Sequence, residues 1–368
     1  MQVAEAKVLP QNNLTNPKNI KSFGVVNLDG LVNESLHFRG EKPIQDIESI
    51  LKLADSIHDY SKILGNWYYG GFFHPHFGHF FSESIHRLRN YLENPENYDG
   101  IVFIPFPFKG SFEWLKNKPQ YIEFILGSYL QINLEKIKWL TEPSIFSNLN
   151  IFEQESRLGS KTGDNYLNYL CGFSKAYKEP EAEQKNVILS RQNYLSMGRH
   201  LGIDYAFSKL DGFVTINPEE ISIEEQIKLI VNADTIIIEG GSAVHLLDLI
   251  GYTEARVLFI SRGANGNYWK NMYSNKCSDF RCFDKIARVE SQLLGKPAVL
   301  PSVLSIKFFE DYLNLNLNNQ SIELDVDEYY SLSILDIEKI MKMKHINDDL
   351  SVLSDFEKAF KFANHYLP

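Results

Sequence analysis

The run Ile236, Ile237, Ile238, Glu239, Gly240, Gly241, Ser242, Ala243, Val244, His245, Leu246, Leu247 constrains the fold of this chain more than any other segment. Its short β-branched stretch reads as a strand buried on both faces, which places it in a parallel sheet covered by helices. Two glycines then turn the chain into an apolar helical segment. Such a junction leaves the first amides of the helix unpaired, and the missing side chains let an anion approach them. A tight turn that binds nothing uses the same residues, so both readings stay open. Glu239, Gly240, Gly241 and Ser242 are candidate anion-site residues, and His245 either reaches the same anion or packs within the helix.

The surrounding sequence supports the parallel sheet. Strand signals at 187–190, 212–216, 235–239 and 256–260 alternate with helical signals at 198–209 and 243–250, the last closed by Gly251. Ser222 and Glu225 have capping-box spacing, and Ile223, Ile227, Ile230 and Val231 share one helical face. This alternation predicts an α/β sheet whose ligand lies beyond the carboxyl ends of its strands. Ser190-Arg191 stands at one such end, where the planar guanidinium of Arg191 is suited to phosphate oxygens. Arg199 is either a second contact or a solvated helix residue.

The upstream half is less regular, with strands expected at 24–28, 99–105 and 136–140 and helices at 78–93, 112–129 and 165–177. A charged, proline-containing stretch at 178–185 reads as a linker. The expected domains are therefore 1–182 and 183–300, followed by a helical tail over 301–368 that packs back across them. With 368 residues and 44% hydrophobic content the chain can bury large cores. A net charge of -10 argues against a protein whose main work is neutralising nucleic-acid phosphates. The three cysteines lack zinc-ligand or redox spacing, Met1 is not followed by a basic and then apolar segment, and no apolar run reaches the ~20 residues of a membrane span. A cytoplasmic protein is expected.

A second cluster occupies 70–88, where His74, His76 and His79 fall within a glycine- and phenylalanine-rich segment. His-x-His-x-x-His matches the first ligand block of a metallo-β-lactamase-like zinc hydrolase, although Gly78 stands where that family carries an aspartate. A use without metal is also open. His79 and Glu83, four apart on an expected helix, share a face, and a carboxylate beside an imidazole orients it as a general base.

These blocks together resemble glycosyltransferase family 61. The likeness covers about residues 65–260: the His79-Phe80-Phe81-Ser82-Glu83-Ser84-Ile85-His86-Arg87-Leu88 block, the Ser190-Arg191 strand end, Glu225-Gln226, Ala233-Asp234 and the Gly241-Ser242-Ala243-Val244-His245 turn. Gly240 stands where many members have a histidine, and Gln192 where a second arginine is common. The resemblance implies a GT-B arrangement of two Rossmann-like domains with a cleft between them. It also implies an inverting transfer from a nucleotide-sugar donor to a glycan or lipid-linked acceptor, in bacterial capsular or surface-polysaccharide assembly. His79 and Glu83 would then be catalytic, and Arg191, Glu239, Gly240, Gly241, Ser242 and His245 would hold the donor. No metal or other cofactor is required, and peripheral contact with the inner face of the membrane fits a lipid-linked acceptor. A catalytically silent glycan-binding protein of the same fold is a further alternative.

Overall fold

A computed structural model describes residues 1–11, 22–108, 110–179, 185–317, 320–346 and 349–366. The chain divides into two units, Met1–Phe173 with Asp248–Gly251, and Ser174–Leu247 with Tyr252–Pro368. The boundary expected at 182/183 lies outside the described residues. Each unit has its own sheet, so the architecture is α/β with two separate sheets.

The first unit contains β1 (Gln2–Leu9), β2 (Gly24–Asn27), β3 (Gly30–Leu31), β4 (Phe38–Arg39), β5 (Lys42–Pro43), β6 (Ser61–Phe73), β7 (Gly100–Pro105), β8 (Ile137–Trp139) and β9 (Ser144–Asn150). Seven of these form a mixed sheet in the order β3-β2-β1-β9-β6-β7-β8, while β4 and β5 form a small hairpin. Strands β9, β6, β7 and β8 run parallel to one another, whereas β1 is antiparallel to both β2 and β9. Val8, Phe23, Val102, Ile104, Phe146 and Leu149 belong to this unit's buried core. The long strand β6 breaks register at Gly71, whose φ of 91° excludes an ordinary side chain. Arg87 fills the space beside it, with Cδ 2.7 Å from where a Cβ would stand.

The helix expected over 78–93 is interrupted. The chain forms one α-helical turn at Phe77–His79, a π-helical turn at Phe80–Ser84 and a separate helix at Arg89–Glu93. Side chains compete for the carbonyls that a regular helix would use: Ser82 Oγ donates to Gly78 O at 2.9 Å, and His86 Nε2 lies 2.7 Å from Phe81 O. The widened turn remains buried, and π-helical turns of this kind occur often at functional sites.

The second unit has a parallel sheet of β10 (Lys185–Leu189), β11 (Phe213–Ile216), β12 (Ala233–Glu239), β13 (Thr253–Ile260) and β14 (Cys277–Phe283). Its order is β11-β10-β12-β13-β14, so the direction of winding reverses between β10 and β12. In such sheets the crevice for a ligand opens at the carboxyl ends where the order reverses. A hairpin of β15 (Ile286–Arg288) and β16 (Ser302–Leu304) follows. The capping box is formed: Ser222 Oγ accepts from Glu225 N at 3.2 Å, and Ser222 N donates to Glu225 Oε2 at 2.8 Å, starting the helix Ile223–Asn232. The tail expected to pack across the domains contributes Ile306, Phe309, Leu313, Ile337, Ile340, Val352 and Phe356 to the core of this second unit, beside Leu201, Ile237 and Leu258. Among the described residues no helix is long and apolar enough to cross a membrane.

Candidate functional site

In the second unit, Arg191 follows β10, Gly240 and Gly241 follow β12, and Arg262 follows β13, so the three strand ends stand side by side. Glu239 anchors the centre. It is buried, and its carboxylate accepts from Arg191 N at 2.8 Å, Arg199 Nε at 3.3 Å and His200 N at 3.4 Å. Burial pushes its carboxyl up, while Arg199 and Arg191 pull against that rise. Arg199, read from sequence as a second contact or a solvated helix residue, is not solvated. It lies buried between Glu239 and Asp204, with Nη1 2.9 Å from Asp204 Oδ2.

The space beside the two glycines is taken by arginines. A Cβ on Gly241 would run into Arg191 Nη1, and one on Gly240 would lie 2.5 Å from Ile260 O and 2.9 Å from Arg262 Cγ. Arg191 Nη2 and Arg262 Nη1 both donate to Met197 O, each at 3.0 Å. Arg288 Nε in turn donates to Arg262 O at 3.2 Å. Burial, then Arg191 and Arg288, push the Arg262 guanidinium down to about 10. Arg191 Nε is buried without a hydrogen-bond partner among the described residues.

Ser242 begins a single 3-10 turn, Ser242–His245, before the helix Leu246–Ile250. The element is short, so the arginine side chains carry the positive field here more than helix amides do. His245 packs by Trp269, and its Nδ1 lies 2.9 Å from Tyr273 Oη.

In the first unit, the π-helical turn places Glu83 at the bottom of a histidine cluster. The Glu83 side chain is 0% exposed. It accepts from Arg39 twice, at 2.6 Å from Nε and 3.0 Å from Nη2, and lies 3.2 Å from His37 Nε2 and 3.3 Å from His79 Nδ1. Burial alone would raise its carboxyl, but His37, His79 and Arg39 together hold it well below the usual carboxylate range. Burial pushes His37 down despite Glu83, so His37 is neutral near pH 7 and donates from Nε2. Around Glu83, His79 and Arg39 reach the surface, with 32% and 40% of their side chains exposed. Arg39 Nη2 also lies 3.3 Å from His79 Nδ1. One ring nitrogen cannot accept from Arg39 and donate to Glu83, so these two contacts select opposite tautomers of His79.

The remaining expected histidines divide. His74 stacks on Phe106 with ring centres 4.3 Å apart, and its Nδ1 accepts from His76 N at 3.1 Å. Burial, then His79, push it down to about 3. Its ring lies 4.5 Å from that of His79, yet among the described residues no three His, Cys, Asp or Glu side chains are placed to hold a metal ion. Arg87, carried by the same sequence block, is structural: its buried guanidinium donates to the carbonyls of Glu34, Leu36 and Phe152.

Sequence reading missed His37, Arg39, Arg262 and Arg288. For Arg262 a signal exists. Val187-Ile188-Leu189-Ser190-Arg191 and Leu258-Phe259-Ile260-Ser261-Arg262 are the same pattern, an apolar strand ending in Ser-Arg, on the two strands that flank β12. No protein-family model matches the chain, and no curated protein matches it. The resemblance to glycosyltransferase family 61 rests on the sequence segments alone.

Proposed function

We propose that this chain is an inverting glycosyltransferase of the two-domain GT-B type. It would move a sugar from a nucleotide-sugar donor to a glycan or lipid-linked acceptor during polysaccharide assembly on the cytoplasmic side of a membrane. The observation that carries this reading is the set of arginines gathered beyond the carboxyl ends of β10, β12 and β13, at the reversal point of a parallel sheet. A cationic site in that position suits the leaving diphosphate of an activated sugar. In the reaction, the acceptor oxygen bonds to the anomeric carbon as the bond from that carbon to the diphosphate oxygen breaks. On this reading the first unit supplies the base, the acceptor proton passing to His79 Nε2 while Nδ1–H donates to Glu83 Oε1, and the second unit supplies Arg191 to the departing diphosphate. Glu83 stays ionised in this role, which its buried contacts favour.

The test is release of nucleoside diphosphate from a panel of nucleotide sugars, with binding followed separately by calorimetry. Arg191→Ala is expected to weaken donor binding or transfer at least ~10-fold, about 1.4 kcal/mol. His79→Ala is expected to lower turnover roughly 100-fold or more while donor binding changes little. Binding of a nucleotide sugar without hydrolysis or transfer would assign the chain to the silent glycan-binding alternative, and binding of none would remove the reading altogether.

A further inference from the structure

The two Ser-Arg strand ends are unusual in what they lack. Arg191 and Arg262 approach over Gly240 and Gly241 from opposite sides of β12, and both give an N–H to the single carbonyl of Met197. Neither guanidinium has a carboxylate partner among the described residues. The one buried carboxylate at this sheet end, Glu239, takes the Arg191 backbone amide and the Arg199 side chain instead. Arg199 is further matched by Asp204; Glu239 also attracts Arg191 and Arg262 from nearby, but one carboxylate is shared among several cations, and among the described residues Arg191, Arg262 and the exposed Arg288 form no ion pair of their own. Like charges crowded in a partly desolvated position repel, and a cluster of this kind is relieved by a bound anion.

We infer that Arg191 and Arg262 form a two-pronged clamp that takes one phosphoryl group on each prong, so that the second unit selects ligands with two linked phosphates over ligands with one. Arg288 adds charge from the rim through its bond to the Arg262 carbonyl. The absence of Cβ atoms at Gly240 and Gly241 is what lets both prongs lie across the end of β12. The shared Met197 carbonyl holds the guanidinia together, and a diphosphate offers each a charged acceptor in its place. This clamp is a refinement of the donor reading above, but its selectivity is measurable without any sugar.

The experiment is calorimetric titration of the full chain, in low-salt buffer free of phosphate, with inorganic pyrophosphate and with orthophosphate. Uridine diphosphate and uridine monophosphate serve as a second pair. The wild-type chain is expected to bind each diphosphate at least ~10-fold more tightly than its monophosphate counterpart, and Arg262→Gln to reduce that ratio to within about 2-fold. Arg262→Lys is expected to retain part of it, because charge remains but the fork does not. Thermal unfolding separates a clamp from a structural arginine: without ligand, Arg262→Gln is expected to unfold at the same or a higher temperature, while its stabilisation by pyrophosphate shrinks. Equal affinity for pyrophosphate and orthophosphate, or a ratio untouched in Arg262→Gln, overturns the clamp, as does a lower unfolding temperature with ligand stabilisation intact. Selective pyrophosphate binding with no turnover of any nucleotide sugar leaves the clamp standing and ends the transferase reading. Turnover with no diphosphate preference does the reverse.

Discussion

Adjacent glycines at the end of β12 do different jobs. A Cβ at Gly240 meets the Ile260 carbonyl, which is fixed by the sheet, whereas one at Gly241 meets the far end of the Arg191 side chain, which can swing away. Gly240→Ala is therefore expected to destabilise the fold by about 1–3 kcal/mol in urea unfolding, the usual scale for overpacking. Gly241→Ala is expected to cost far less stability but to displace the Arg191 guanidinium and weaken pyrophosphate binding at least ~10-fold. The opposite ranking in the two measurements would show that the roles have been exchanged. At this scale the sequence was informative where chemistry follows the backbone: Glu239, the glycines and Arg191 all follow from a strand that ends. His37 and Arg39 were hidden because a two-residue hairpin strand has no periodicity, and its approach to Glu83 is purely tertiary.

Among the elements, the helix Ile223–Asn232 shows how local signals specify structure. Its capping box satisfies amides at the first turn, while Ile223, Ile227, Ile230 and Val231 are buried. Ser222→Ala removes the hydroxyl acceptor of the Glu225 amide, and an unfolding measurement is expected to register a loss of about 1 kcal/mol with activity unchanged. A loss below ~0.3 kcal/mol would mean that tertiary packing alone fixes the helix start. The second unit was legible as a whole because each parallel strand is a short apolar run followed by an amphipathic helix. In the first unit, β1, β6 and β9 were not anticipated. Gly65, Gly70 and Gly71 give β6 the look of a loop, whereas in the sheet Gly65 and Gly71 adopt left-handed backbone at register breaks. Similarly, no helical pattern in 78–93 announces that Ser82 and His86 will compete for main-chain carbonyls.

For the whole molecule, buried imidazoles set the response to acid. His74 and His200 are each pushed down to about 3, first by burial, and His37 is lowered for the same reason, whereas unfolded histidines titrate near ~6.5. Between those values the unfolded chain binds more protons than the folded one, so stability falls as pH drops below ~6.5. Glu239 and Glu155, both raised first by burial, oppose this as two carboxyls against three imidazoles. The urea midpoint is expected to be lower at pH 5 than at pH 7.5, and His200→Gln is expected to flatten the difference. Equal midpoints, or a higher one in acid, would show that these rings are charged in the fold.

The hairpin that brings His37 and Arg39 to Glu83 is held from far along the chain, with Phe38 N donating to Gln154 Oε1 across 116 residues and Gly40 N donating to Leu158 O. On a ribosome, Glu83 therefore emerges well before the residues that fasten its partners in place. Until then its carboxylate is hydrated like any other. The surroundings of the His79 imidazole are therefore complete only once the chain through Leu158 is available to fold, about 80 residues after His79 itself.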